Sequence, residues 1–242
     1  VFAEYGNVTV IKSPGGNVGY ARGNNIGIKW LLARRVPWIA VVNPDVLFDD
    51  KATLSKLIEI YRSLPSAGFI GPAIVDVRGW VVPPYRVRPS LLGLALEPVL
   101  GPVRRIAFWA TELANSGAEV YEVYRLYGCC ILGTARAWTE IGLFDEATFL
   151  YYEESLLAER AREKGLKTYY AKNIRVRHLH ERSGSLTREV VAHSKQSRTV
   201  LMRKAYKARE WQIRGVNACF GALAVLRRKV TGIVGAVRRA SV

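Results

Sequence analysis

Five consecutive apolar residues, Trp38 to Val42, stop abruptly at Asn43-Pro44-Asp45. A run that short, without alternation and ended by a turn tripeptide, predicts a buried strand of a parallel sheet, with polar residues at its carboxyl end. The flanking segments predict the rest of such a sheet. Asn7 to Ile11 is a β-branched run followed by the turn cluster Ser13 to Asn17, and Gly19 to Asn25 leads into an apolar-periodic helix reaching Arg35. Between Lys51 and Ser63, Leu54, Leu57, Ile58 and Tyr61 fall at i, i+3, i+4 and i+7, an amphipathic helix ended by Pro65. Further strands are predicted over 68–75, 127–132, 167–171 and 174–180, with helices over 135–141 and 153–164, the latter closed by Gly165. Strands alternating with helices make this an α/β chain in which function collects at strand carboxyl ends. Residues 79–118 hold Pro83, Pro84, Pro89, Pro98 and Pro102, which break every period, and read as an excursion or lid.

Charge separates the chain into two parts. Of a formal net charge of +16, +11 lies from Lys195 onward, where Glu210 is the sole acid. Residues 1–194 therefore read as the domain and 195–242 as a basic, helical, amphipathic tail. Cationic tails suit phosphate, whether of nucleic acid or of lipid headgroups. A nucleic-acid-binding protein is one reading of a basic chain carrying Trp211 among its cations, but no reader motif accompanies it. Basic residues around apolar stretches 215–226 and 231–237, each too short to span a bilayer, suit the interface of an anionic membrane; a helix packed on the domain with a solvated basic face fits as well. Cys129, Cys130 and Cys219 have neither zinc nor disulfide-framework spacing, so a reducing compartment is the default. The opening Val1-Phe-Ala-Glu reads as the middle of a domain, and with Met202 as the one methionine we expect an N-terminal truncation.

Four constellations carry chemistry. Asn17 to Asn25 places glycines where a backbone can approach a phosphate near a helix start, or forms a plain turn. Asn43-Pro44-Asp45 either offers a carboxylate to a hard divalent ion that keeps diphosphate oxygens, or makes an Asx turn. Gly142 to Glu154 brings Phe144, Phe149, Tyr151 and Tyr152 up to the adjacent acids Glu153 and Glu154 at a helix start. Like charges side by side raise one pKa while the helix dipole favours ionised carboxylate, so either a general base or ordinary first-turn capping results. Val176 to His180, followed by Ser183, sets His178 and His180 on one strand face, as site or structural histidines.

In this order the four segments resemble the nucleotide-sugar glycosyltransferases of family 2, with a GT-A fold, in the rhamnosyltransferase-like branch. The family pattern runs N-x-G-F/Y-A/G-x-G-N-N, then N-P-D, then G-x-F-D-E with aromatics and paired acids, then V-x-H. Here these are Asn17 to Asn25, Asn43 to Asp45, Gly142 to Glu154, and Val176 to His178.

The resemblance implies a mixed, Rossmann-like sheet flanked by helices, lacking its first strand-helix-strand unit. It implies an inverting transfer from a nucleoside-diphosphate sugar, of the dTDP-rhamnose or UDP-sugar type, to a saccharide or lipid-linked acceptor in cell-surface polysaccharide synthesis. Glu154, with Glu153 beside it, takes the place of the family's usual aspartate base. Donor contacts fall on Asn17, Gly19, Arg22, Asn25, Asn43 and Asp45, and acceptor contacts on Gly128, Asp145 and Glu146. Asp45 and His178 would hold a divalent cation, Mg or Mn. The protein would sit on the cytoplasmic face of the cell membrane through its tail, without nucleic acid. A non-catalytic, glycosyltransferase-like subunit is the other reading.

Overall fold

The computed structural model describes residues 7–114, 118–179 and 187–240. His180 and Ser183 lie outside the described residues. The elements run α1 (Tyr20–Ala33), β1 (Trp38–Val42), β2 (Val46–Leu47), α2 (Thr53–Ser63), β3 (Ala67–Val75), α3 (Leu91–Leu96), α4 (Gly101–Ala114), β4 (Val120–Val123), β5 (Cys130–Thr134), α5 (Ala135–Ile141), α6 (Glu153–Glu163), β6 (Lys167–His178), α7 (Arg188–Ala205) and α8 (Glu210–Ala240).

One mixed sheet in the order β1-β5-β3-β6-β2 organises them, with β4 pairing β6 beside β2. β3 and β6 are parallel, and β5 runs antiparallel to both β1 and β3. β1, β3 and β6 therefore point the same way, and their carboxyl ends open on one edge of the molecule. The apolar run 38–42 is the expected strand, but its described partner is the antiparallel β5, with Val42 opposite Cys130, rather than a parallel neighbour. Its apolar character comes from being covered on both faces: Ile39 and Val41 enter one core cluster, while Trp38 and Ala40 pack on another.

The segments 167–171 and 174–178 form a single strand. Its register against β3 slips after Pro72–Ala171, so that Ala73 pairs with Arg175, and that irregularity is what interrupts the apolar pattern at Lys172 and Asn173. Along its other edge β6 receives β4 over its first half and β2 over its last two residues. Asn7 to Ile11 forms no strand. All five residues are exposed, and a β-branched run without a sheet neighbour has nothing to pair with. The strand expected at 127–132 starts at Cys130, because Tyr127 turns the chain by accepting the Cys130 N–H through its carbonyl.

The main core lies between the sheet and α1, α5 and α6. Trp138 is fully buried and donates from Nε1 to the Ile39 carbonyl at 3.2 Å. Its ring meets Phe69 at 4.8 Å and Phe144 at 5.2 Å, and Phe144 meets Tyr20 at 5.8 Å, so one aromatic chain runs from the sheet to the start of α1. Removing Phe69 and Phe144 from water contributes about 1.5–3 kcal/mol each. α5 begins at Thr134, whose hydroxyl accepts the Ala137 N–H, and ends at Gly142 in the left-handed conformation.

The proline-rich excursion contains two helices. Ser90 caps α3, and Pro102 sits in the first turn of α4, where its missing N–H removes no helical bond. The C-terminal segment is joined to the domain. The boundary expected at residue 195 lies inside α7, and Leu201 and Met202 are fully buried in a cluster with Leu94, Tyr152, Leu156, Ile213 and Val216. Among the described residues no helix is long and apolar enough to cross a membrane.

Candidate functional site

The carboxyl ends of β1 and β6 place the second and fourth constellations against each other. After Val42 the chain turns through Asn43, whose N–H donates to the Cys129 carbonyl and whose carbonyl accepts from Val46. β2 then pairs antiparallel to β6 with Val46 opposite His178, and the Leu179 N–H donates to the Asp45 carbonyl. This register brings His178 Nε2 to 3.2 Å from Asp45 Oδ1, both side chains being partly exposed. A carboxylate oxygen and an imidazole nitrogen at that separation suit a divalent cation that takes its remaining ligands from a diphosphate. No cluster of three or more metal-type side chains exists among the described residues, so a cation here would depend on such oxygens.

The first and third constellations meet beside this pair. Gly19 has φ 84°, and its N–H donates to Asn17 Oδ1. A Cβ at Gly19 would fall 2.6 Å from the Phe149 carbonyl oxygen and 2.7 Å from the Phe149 ring, so both the backbone angle and the packing require glycine. Tyr20, next in the chain, donates its N–H to the Phe149 carbonyl and its hydroxyl to the Gly128 carbonyl at 2.6 Å. It thereby joins three predicted segments in one residue.

Asn25 is buried. It donates to the Phe144 carbonyl and to Glu146 Oε1, and accepts the Phe144 N–H. Its amide is used in clamping the 142–152 loop to α1, while Arg22 and Asn17 remain exposed on the same loop and helix start. Asp145 is likewise occupied. It receives Arg160 Nη2 at 2.7 Å and Lys204 Nζ at 2.7 Å, which ties the loop to α6 and α7. Burial works to raise the Asp145 pKa, but the Lys204 hydrogen bond, with the Ala147 N–H and the Arg160 charge, holds it below the usual carboxylate range.

Tyr151 and Tyr152 precede α6 with φ of 67° and 64°. Two successive non-glycine residues in the left-handed region store strain, and they deliver Glu153 and Glu154 together at the helix start. The two acids meet opposite environments. Glu153 is 5% exposed and its Oε2 finds no hydrogen-bond partner among the described residues; burial first, and the Glu154 charge second, push its pKa up to about 8. Glu154 instead accepts Arg125 Nη1 at 2.8 Å, with its second oxygen, Oε2, unpartnered among the described residues. The cluster adjoins the Asp45 side of the site: Cys129 lies within the field of both Asp45 and Glu154, and burial above all raises the thiols of Cys129 and Cys130 to about 12, leaving both unreactive.

Arg125 was not among the expected residues. It is buried, stacks 3.4 Å over the ring of Tyr85, and Tyr85 has Arg104 at 3.4 Å from its ring centroid as well. The Tyr85 hydroxyl donates to Glu97 Oε1 and the Tyr152 hydroxyl to Glu97 Oε2, so the excursion and the strained turn share one carboxylate. The available signal was parity: in Tyr121 to Tyr127, Arg125 occupies the same alternation as buried Val123.

No family model matches the chain. It is 32% identical over 200 residues to the N-acetylglucosaminyl-diphospho-decaprenol L-rhamnosyltransferase of Mycobacterium tuberculosis, an alignment covering 78% of this chain and 64% of the relative. It is 28% identical over 154 residues to the low-salt glycan biosynthesis hexosyltransferase Agl10 of Haloferax volcanii, covering 63% of this chain and 46% of that protein. The crystal structure of GalNAc-T7 with UDP, GalNAc and Mn2+ superposes with a TM-score of 0.51 at 14% identity, over 80% of this chain and 36% of the other. By these likenesses the chain resembles the rhamnosyltransferase-like glycosyltransferases of family 2.

Its mixed sheet flanked by helices has the GT-A fold. The chain spans about two thirds of the length of the Mycobacterium relative and under half of the Haloferax one. The structure gathers Asn43, Asp45, His178, Gly19, Gly128, Glu153 and Glu154 at one end of the sheet. Asn25, Asp145 and Glu146 sit behind it, as the bonds that hold the loop in place.

Proposed function

We propose that the chain transfers a sugar, with inversion, from a nucleoside-diphosphate sugar of the dTDP-rhamnose or UDP-sugar type to a hydroxyl of a saccharide or lipid-linked acceptor. The observation that supports this most is the convergence of the Asp45–His178 pair with the Glu153–Glu154–Arg125 cluster at the carboxyl ends of parallel-pointing strands. The Mycobacterium relative is named for rhamnosyl transfer to a decaprenol-linked sugar, and the Haloferax relative for hexosyl transfer in glycan biosynthesis; donor class and lipid-linked acceptor are carried over from those names as a proposal.

In this reading Glu154 is the base. Its Arg125 partner holds the carboxylate in place, leaving Oε2 to take the proton of the acceptor hydroxyl as the hydroxyl oxygen bonds to the anomeric carbon and the diphosphate departs. Glu153, one residue earlier, contributes by being protonated near neutral pH, so that a single negative charge faces the acceptor. Asp45 and His178 would hold a divalent cation, Mg or Mn, and such an ion supplies charge neutralisation for the leaving diphosphate. The exposed Arg22 and the Asn17–Gly19 turn face the donor from the start of α1. The lipid-linked acceptor would be met at the cytoplasmic face of the membrane, with the basic C-terminal segment at the lipid surface.

The test is Glu154→Gln. Donor binding measured calorimetrically is expected to persist while turnover falls by about 100-fold or more. Undiminished turnover would remove Glu154 from the base role, and absence of donor binding in the unmodified protein would remove the transfer reading itself.

A further inference from the structure

α4 packs on the domain through one side and turns an apolar stripe to solvent on the other. Its inward side carries Phe108, 4% exposed, and Arg104, stacked on Tyr85. Its outward side carries Val103, 58% exposed, Ile106, 71% exposed, and the exposed Ala107 and Ala110, at the i, i+3, i+4, i+7 spacing of a single stripe. Trp109, 43% exposed, borders the stripe, and on the side of the helix away from it Arg105 lies 5.2 Å from the ring centroid of Trp80, 51% exposed.

The surroundings of this face are cationic. Arg227 of α8 donates to the Pro98 carbonyl at the turn into α4, which brings the Arg227-Arg228-Lys229 cluster to the amino-terminal end of the stripe. A second copy of a chain with net charge +16 would set like charge against like charge there. An apolar stripe with a tryptophan at its margin and a cationic cluster at its end instead matches an anionic bilayer, where acyl chains receive the stripe and headgroups the cations.

We infer that α4, with Arg105 and the 227–229 cluster, is the surface by which this chain docks on an anionic lipid membrane. This rests on the membrane part of the reading above and not on the transfer reaction, and it moves the apolar contact from the C-terminal segment to the proline-rich excursion. α8 then supplies charge and α4 the insertion. Because Tyr85 and Glu97 link the base of α4 to Arg125 and Tyr152, the docked face lies one layer away from Glu154.

The experiment is co-sedimentation of the protein with vesicles of phosphatidylcholine alone and of phosphatidylcholine and phosphatidylglycerol in equal parts, without donor or acceptor. The unmodified chain should bind the anionic vesicles, and the double variant Val103→Ser, Ile106→Ser should lose about tenfold or more in partitioning with its melting temperature kept, since both side chains are exposed. Substituting glutamine at 227, 228 and 229 should weaken binding and flatten its salt dependence. Brominated lipid should quench Trp109 in the unmodified protein more than in Trp109→Phe, a readout that does not depend on the serine variant folding. Equal binding by the double variant, with loss confined to the glutamine variant, would overturn docking through α4 while leaving membrane binding by α8. No binding by the unmodified chain, or self-association abolished by the serine variant, would overturn membrane docking altogether, and turnover on a water-soluble acceptor in the same preparation would show that the transfer reading survives it.

Discussion

Arg125 Nη1 lies 2.8 Å from Glu154 Oε1, and the pair is nearly sealed from water, the side chains being 8% and 13% exposed. One residue away, Glu153 is buried without a cation in hydrogen-bonding contact among the described residues. Two adjacent carboxyls on one helix turn thus meet different surroundings, one hydrogen-bonded to an arginine and one buried without it.

Breaking that pair has a definite consequence. Arg125→Met leaves a buried carboxylate uncompensated and is expected to destabilise the fold by about 3–5 kcal/mol. The double variant Arg125→Met, Glu154→Gln should recover part of the loss, because the orphaned charge is then gone. Denaturant unfolding of the two variants checks this; additive losses would mean that the pair is not coupled.

Glu153 predicts a stability profile in pH. Its folded pKa of about 8 lies above that of an unfolded glutamate, so the native state holds a proton that the unfolded state releases, and stability falls as pH rises through that interval. The penalty is absent below the unfolded pKa and complete above about pH 8. Glu153→Gln should flatten the melting temperature across this window and raise it at the alkaline end. An unchanged slope would show that Glu153 is ionised in the native protein.

Asp145 behaves in the opposite sense. Its depressed native pKa means that the Lys204 and Arg160 contacts stabilise the protein above the unfolded carboxyl pKa and are lost as pH falls through the native one. Lys204 is half exposed, which moderates the gain. Asp145→Asn should cost on the order of 1–3 kcal/mol at neutral pH, and progressively less in acid. A variant with unchanged melting temperature and altered acceptor affinity would instead return Asp145 to the acceptor role.

At Gly19 the geometry leaves no room for a side chain. Gly19→Ala should lose about 1–3 kcal/mol from the backbone angle alone, with more from the displaced Phe149. Calorimetric unfolding measures it, and the same variant should weaken nucleotide binding through the shifted start of α1.

Local signals in the chain announced some of this architecture and not the rest. The strand 38–42 and the helix 135–141 were legible residue for residue, because a continuous apolar run with a turn at its end, and a Thr–Gly capped heptad, are local features. That Asp45 faces His178 depended on order along the chain, since the β2–β6 register is formed across more than 130 residues. Arg125 stayed hidden because a buried arginine is decided by its partners Glu154 and Tyr85, which come from distant segments. The same holds for α3 and α4. Prolines at helix starts look like helix breakers to a periodicity argument, yet Pro102 occupies the turn where it does least harm. Asn25 and Asp145, expected at donor and acceptor, hydrogen-bond to the Phe144 carbonyl and to Lys204, partners that come from distant segments and that no local pattern announces.

In the proposed function Asp45 and His178 form the diphosphate and cation end of a donor site. Thermal unfolding should be followed with UDP, dTDP and GDP, each with and without magnesium or manganese, for the unmodified chain and for Asp45→Ala. Because a ligand that binds the native state alone must raise the melting temperature, a metal-dependent rise is expected with one nucleotide and should disappear in Asp45→Ala. No rise with any nucleotide, or a rise of equal size in the variant, would contradict it.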